Sequence, residues 1–207
     1  MMKKNFVSKT PESIRMFKND VLERLSKVHF LVPLLVYIPV ILYFSWAALT
    51  LNNLNLTIFG LFFGSGFITW TLIEYLLHRF VFHYQPSTVY GRKLHFIFHG
   101  VHHDYPNDRR RLVMPPSASI PIATVFFLFF KWILPAEIVS AFFSGFISGY
   151  LVYDMTHYAL HHLNIRNSYL RKLKQHHLLH HYSDSSKGYG VSLSFWDKIF
   201  NSDFEKN

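Results

Sequence analysis

The stretch from Phe30 to Thr50 carries no formal charge, and a bilayer is crossed by about 20 predominantly apolar residues in a helix. Lipid offers no partner to a backbone N–H or C=O, so such a run is confined to a helix or a closed barrel. The pattern recurs. Leu54 to Ile73 is uncharged until Glu74, and a short Asn-containing turn (Leu51 to Asn53) separates it from the first run, so the two read as a hairpin. Ser117 to Leu134 is interrupted by Lys131 near its far end, where a long side chain can reach the interface. Ile138 to Tyr153 is short. With only Pro135, Ala136 and Glu137 before it, the second pair reads as a tight hairpin that could cross incompletely. Half of the 207 residues are hydrophobic, among them 22 Phe and 12 Tyr, which is more apolar surface than a soluble domain of this length carries.

Charge orients these spans. Of 21 Lys and Arg, seven lie at or before Lys27, six between Arg79 and Arg111, and seven from Arg166 onward; only Lys131 falls within a span. Under the positive-inside rule all three basic segments share the cytoplasmic face. The net charge of +9 therefore points to anionic lipid headgroups and not to nucleic acid. No short apolar core precedes residue 29, so the first span is expected to serve as its own insertion signal. Apolar residues from Ile14 to Val28 recur at helical intervals, which predicts an amphipathic helix over Pro11 to Val28 with Thr10 as its cap.

Ten of the 14 histidines fall into four clusters inside or beside the basic segments: His78 with His83; His99 with His102 and His103; His157 with His161; His177 with His180 and His181. Residues three and four apart share a helix face, so HGVHH and HLLHH would each project three imidazoles one way. His78 and His83 are five apart, which predicts that the helix ends or bends between them. Three or four imidazoles usually complete one site, so ten suggest two metals. His29, His95, His162 and His176 lie off the pattern and are expected to be structural. With no cysteine, any metal must be held by nitrogen or oxygen. Glu74 and Asp154 each share a helix face with a proposed ligand and are expected to accept an imidazole N–H. Gly60 with Gly64 and Gly145 with Gly149 form GxxxG patterns that allow close helix approach in lipid.

Imidazole-rich sites with few carboxylates fit a zinc hydrolase poorly and fit a pair of irons that activates oxygen. Metal transport fits poorly too, because the ligands gather at one end instead of lining the middle of the membrane. Zinc can displace ferrous iron on affinity order alone, so purified protein could carry zinc.

The segments HRFVFH, HFIFHGVHHDYPNDRRRLVMPP, GYLVYDMTHYALHH and LRKLKQHHLLHHYSDSSKGYGVSLSFWDKIF together resemble the fatty acid hydroxylase superfamily of integral-membrane di-metal enzymes, nearest to the fatty acid (sphingolipid) 2-hydroxylases, over about Glu74 to Phe200. The resemblance implies an all-α integral-membrane fold of four transmembrane helices in two hairpins, with a cytoplasmic helical cap that holds the centre. It implies that His78, His83, His99, His102, His103, His157, His161, His177, His180 and His181 are the metal ligands, with Tyr153 and Asp154 close to the metals. The implied cofactors are two iron ions, with molecular oxygen as co-substrate. The implied reaction is hydroxylation at C2 of a fatty acid or ceramide N-acyl chain; a sterol or carotenoid hydroxylase or desaturase is the nearest alternative. Many members carry an N-terminal haem domain, which the 28 residues before the first span are too few to form. Electrons are thus expected from a separate cytochrome, ferredoxin or reductase, docked on Arg109 to Arg111 or on Arg171 to Lys174. The chain reads as a single domain: a basic segment (1–28), a hairpin (29–77), histidine clusters (78–116), a second hairpin (117–155) and a histidine-bearing C-terminus (156–207). The membrane would be the inner membrane in a bacterium or the endoplasmic reticulum in a eukaryote.

Overall fold

The computed structural model describes residues 6–204, and every regular element among them is helical. Residues 1–5 of the expected basic N-terminal segment, and residues 205–207, lie outside the described residues. Four helices are long and apolar enough to cross a membrane, which makes the chain a multi-pass membrane protein. They are α2 (Val32–Thr50), α3 (Leu56–Leu77, extended by a wider turn to Phe82), α6 (Pro116–Ile133) and α7 (Ala136–His162).

Local chemistry sets their ends. Asn53 takes a left-handed conformation (φ 52°) in the turn after α2, and the Asn55 side chain caps α3 by accepting from the Ile58 N–H at 2.9 Å. Asn52 donates to the Ala136 carbonyl at 2.9 Å, which ties the first hairpin to the start of α7. The fourth span is not short. α7 runs for 27 residues, straight through the expected boundary at residue 155. At 1.5 Å per residue it is about 40 Å long, against about 30 Å of hydrocarbon. The helix is thus long enough for its last two turns or so, which carry His157 and His161, to stand beyond the hydrocarbon.

α7 is the central helix: 61% of its apolar stretch is buried, against 22% or less in the other three spans. It packs on α3 and α2 around Tyr37, Trp70, Phe143, Phe146, Ile147 and Tyr150. Lipid supplies no hydrophobic drive between spanning helices, so this packing holds the bundle by close contact. Close approach is made by Gly66, Gly145 and Gly149, each set against backbone or Cβ of the facing helix, whereas Gly60 and Gly64 meet nothing. The GxxxG pattern of α3 is thus not a close contact within this chain, because a Cβ at either glycine would meet nothing within 4 Å.

The N-terminal segment differs from its expected form. Only α1 (Asp20–Leu25) is helical, capped by Asn19 and not by Thr10. The Glu23 carboxylate takes the Met16 and Phe17 N–H groups, which holds the chain before α1 folded back on it instead of continuing a helix. Buried Arg111 locks the segment to the cap by donating to Glu23 (2.6 Å), Ser26 (2.6 Å) and the Ile14 carbonyl (2.7 Å). Burial raises the Glu23 carboxyl, but the Lys27, Phe17 and Met16 hydrogen bonds and the Arg111 charge outweigh it and hold the group at about 2. Arg111 is consequently not available as a docking charge; Arg109 and Arg110 are exposed.

Candidate metal centre

The cap is built from α4 (Val89–His95), α5 (Val101–Asp104), α8 (Ser168–Tyr182) and α9 (Phe195–Ile199) over the ends of α3 and α7. The helix ends between His78 and His83, as the five-residue spacing predicts, with His83 at a bend just past Phe82. Before it ends it widens into a π turn over His78–Phe82, closed by the His83 N–H on the His78 carbonyl at 3.2 Å. Closing i to i+5 turns residues five apart toward one side, so both imidazoles face inward. A second π turn, Phe96–Gly100, leads into α5.

All ten clustered histidines meet at the cap, in two groups of five. One holds His78, His83, His99, His103 and His180; the other holds His102, His157, His161, His177 and His181, and within each group the ligand atoms lie within 4.8 Å of one another. The triplets do not each point one way. In HGVHH the i,i+4 pair His99 and His103 goes to the first group and His102 to the second; in HLLHH the pair His177 and His181 goes to the second and His180 to the first. The groups adjoin, with the His103 and His181 rings stacked 4.2 Å apart. His29, His95, His162 and His176 stand outside both.

The inward atoms are the Nε2 nitrogens. His78, His83 and His99 sit 3.2 Å apart pairwise through Nε2, His180 is 3.0 Å from His83, and in the second group His102 lies 3.0 Å from both His157 and His181. Burial, with the mutual repulsion of neighbouring imidazoles, pushes His83 down to about 3. Burial also takes His180 down to about 4, although the Lys187 carbonyl raises it. His99, His102, His103, His177 and His181 are held well below the usual range by the same burial. They are neutral at pH 7, and within each group the Nε2 atoms gather around one point, where the neutral ring can turn a lone pair inward. Lone pairs held this close repel unless a cation sits between them, and neutral imidazole suits iron or zinc. The donor set therefore fits two metal ions.

The two acids act one step further out than expected. Glu74 accepts from the Val191 N–H (2.8 Å), the Ser192 N–H (2.9 Å) and the Ser192 hydroxyl, not from an imidazole. Asp154 accepts from the Met114 N–H at 3.3 Å and lies 3.5 Å from the Tyr150 hydroxyl. A shared helix face placed both near ligands, but loops from elsewhere in the chain reached them first. The imidazole partners are backbone carbonyls: Tyr189 O is 2.5 Å from His78 Nδ1, and Lys187 O is 2.6 Å from His180 Nδ1. Sequence reading missed Asp197, which is fully buried and accepts from the Tyr189 and Gly190 N–H groups (both 2.8 Å) and from Ser202 Oγ (2.9 Å). Its only sequence signal is an acid placed after the GYG run. His176, set aside as structural, bonds Asp197 at 3.1 Å.

Two apolar cavities approach the centre. One, of about 460 Å³, lies between α3, α6 and α7 under α4; it reaches from Phe126 and Ile147 to Tyr153 and His99. The other, of about 420 Å³, lies under the N-terminal segment and reaches His99, His102 and His157. Tyr153 lines both, with its ring 5.7 Å from that of His157.

Four apolar spans, two groups of five histidines and an apolar cavity against them define a membrane protein built around a histidine-rich metal centre. The fatty acid hydroxylase family model matches residues 63–202, so the chain belongs to that family. The fatty acid 2-hydroxylase of Rattus norvegicus is 38% identical over 208 residues, covering 90% of this chain and 56% of that protein. The ceramide very long chain fatty acid hydroxylase scs7 of Schizosaccharomyces pombe is 42% identical over 184 residues, covering 87% and 52%. This chain thus spans about half the length of these relatives. A dihydroceramide fatty acyl 2-hydroxylase of Arabidopsis thaliana is 35% identical and is covered to 79%, by 91% of this chain. Among solved structures, full-length scs7p, in which only the hydroxylase domain is visible, matches with a TM-score of 0.86 at 38% identity, over 91% of this chain and 71% of that one.

Proposed function

We propose that the chain hydroxylates a lipid acyl chain at C2, as a fatty acid or as the N-acyl chain of a ceramide, with the ten clustered histidines as ligands of two irons on the cytoplasmic side. The observation that carries this reading is the 460 Å³ apolar cavity, which runs from between the spans to His99. An extended acyl chain would lie along it with its carboxyl end toward the centre, and Phe126, Phe146 and Ile147 would exclude water from the tail. Bound iron would supply oxygen activation and the oxidising power to break an unactivated C–H bond. The histidines hold the metals, and Tyr153, which lines both cavities beside His157, would border the reacting carbon. The activities for which the relatives are named favour an acyl chain over a sterol or carotenoid. Electrons would come from a separate carrier, for which exposed Arg109, Arg110, Arg171 and Lys172 offer a basic surface.

The test is the lipid profile of cells with and without the gene. Loss of 2-hydroxylated acyl lipid on deletion, restored by the wild-type gene and not by His102→Ala or His180→Ala, supports the proposal. Unchanged 2-hydroxylation in cells that otherwise contain such lipids would sink it. His176→Ala should keep much more activity than either.

A further inference from the structure

The two histidine groups are alike in their donor atoms and unlike in what stands behind them. In the first, His78 and His180 each direct Nδ1 at a backbone carbonyl, those of Tyr189 and Lys187. In the second, Nδ1 of His177 and of His181 is buried and meets no hydrogen-bond partner among the described residues. Both carbonyls belong to one segment, 187–192, whose turn depends on Gly188 at φ 71°. Two buried acids clamp it, Asp197 through the Tyr189 and Gly190 N–H groups and Glu74 through those of Val191 and Ser192. Neither acid hydrogen-bonds any histidine of the second group.

We propose that Asp197 and Glu74 are positioning residues for the first metal position alone, and that this position binds its ion more tightly than the other. The inference rests on the reading of the two groups as metal sites. A carbonyl on Nδ1 fixes the tautomer whose Nε2 lone pair faces the metal, orients the ring and raises its basicity; losing such a partner typically costs about 10–100-fold in affinity. Among the described residues His177 and His181 have no acceptor to select that tautomer, so the ion itself must select it. The acids are separable by chemistry. Every group on Asp197 approaches as a donor, so an amide there would set N–H against a backbone N–H whichever way it turned. Gln at 74 can keep its oxygen on the two backbone N–H groups and donate its amide to Ser192 Oγ.

The experiment uses zinc, which has no redox change, on the full chain in lipid nanodiscs. Metal-stripped protein is equilibrated against chelator-buffered zinc, bound zinc is counted by elemental mass spectrometry, and the structure is determined at limiting zinc. Expected are two ions per chain at saturation, binding with midpoints at least about 10-fold apart, and density at limiting zinc among His78, His83, His99, His103 and His180. Asp197→Asn and Glu74→Ala should each weaken the tighter midpoint about 10–100-fold and leave the weaker one in place; Glu74→Gln, which can keep the same hydrogen bonds, should restore what Glu74→Ala loses, and an unmoved tighter midpoint in Glu74→Ala overturns the role of Glu74. Equal filling of the two positions, or prior filling of the second, overturns the proposal whether or not Asp197→Asn folds. An equal shift of both midpoints in Asp197→Asn overturns the assignment of that residue to one position. Wild-type protein that binds no zinc at saturation would overturn the metal reading itself.

Discussion

Gly145→Ala and Gly60→Ala make the same chemical change in two spanning helices and should act in opposite directions. A Cβ on Gly145 would run into the Phe63 carbonyl oxygen, 2.6 Å from its carbon and 2.9 Å from Cα. Carbon atoms in good contact sit about 3.5–4.0 Å apart, so α3 and α7 would have to separate by about 1 Å. Phe63 presents backbone there and has no rotamer by which to yield. Overpacking costs about 1–3 kcal/mol, here toward the upper end, and the helical preference of Ala over Gly returns up to about 1 kcal/mol. The net loss is about 2 kcal/mol. At roughly 2–4 °C per kcal/mol for a chain of this size, the melting temperature should fall by about 4–8 °C. Gly60 has nothing within 4 Å of its added Cβ, so only the propensity gain acts, and its melting temperature should hold or rise slightly. Thermal unfolding in detergent, followed by Trp fluorescence, reads both variants, because Trp70 lies buried at the α3–α7 contact. The Gly145 variant should also bind metal less well: α3 leads into His78 and α7 carries His157 and His161. If the two variants melt alike, the close approach of α3 and α7 is not what glycine is needed for.

Glu23 predicts an acid response of the N-terminal segment. Its carboxyl titrates near 2 when folded, against 4.5 ordinarily. The depressed value means that its contribution is complete above pH 4.5 and is lost as pH falls toward 2. Hydrogen exchange over residues 13–27, taken relative to the intrinsic amide rate at each pH, should accelerate in that window and stay flat above it. Glu23→Gln should reproduce the acceleration at pH 7, and no change in exchange on either treatment would refute the role of the Arg111 ion pair. Ala123 lines the larger cavity on α6, and Ala123→Phe should shift the product toward shorter acyl chains. Each excluded methylene should be worth about 10-fold or more in selectivity, with zinc content unchanged. An unaltered chain-length profile by lipid mass spectrometry would place the acyl tail elsewhere.

The spans and the histidines were legible in the sequence because both signals are local. An uncharged run of bilayer length leaves the backbone no alternative to a helix, and three- and four-residue spacing fixes which rings share a face. Local spacing could not show how the faces are shared out. HGVHH lies between the two groups, so His102 turns to one and its neighbours His99 and His103 to the other. The five-residue gap from His78 to His83 is out of register for an α-helix, and it comes into register only because a π turn widens the ring. The fourth span reads as short because apolar residues give way at Asp154, yet the helix continues to His162 as histidines replace apolar residues.

The acids show where such reading stops. Glu74 and Asp154 were placed by helical spacing beside ligands on their own helices, which is correct as to position and wrong as to partner. A carboxylate buried at that depth needs donors, and a backbone N–H from any segment serves as well as an imidazole. Nothing in the spacing within α3 could say that residues 191 and 192 would return to it across more than a hundred residues of chain. The same event leaves the Tyr189 carbonyl free to face His78. Because a backbone carbonyl has no residue type, the partner that orients a metal ligand can be supplied by a position at which the sequence has nothing to read. What the sequence does carry is the clamp: Glu74 and Asp197 have no other evident reason to be buried, and their donors are consecutive backbone N–H groups of a single segment.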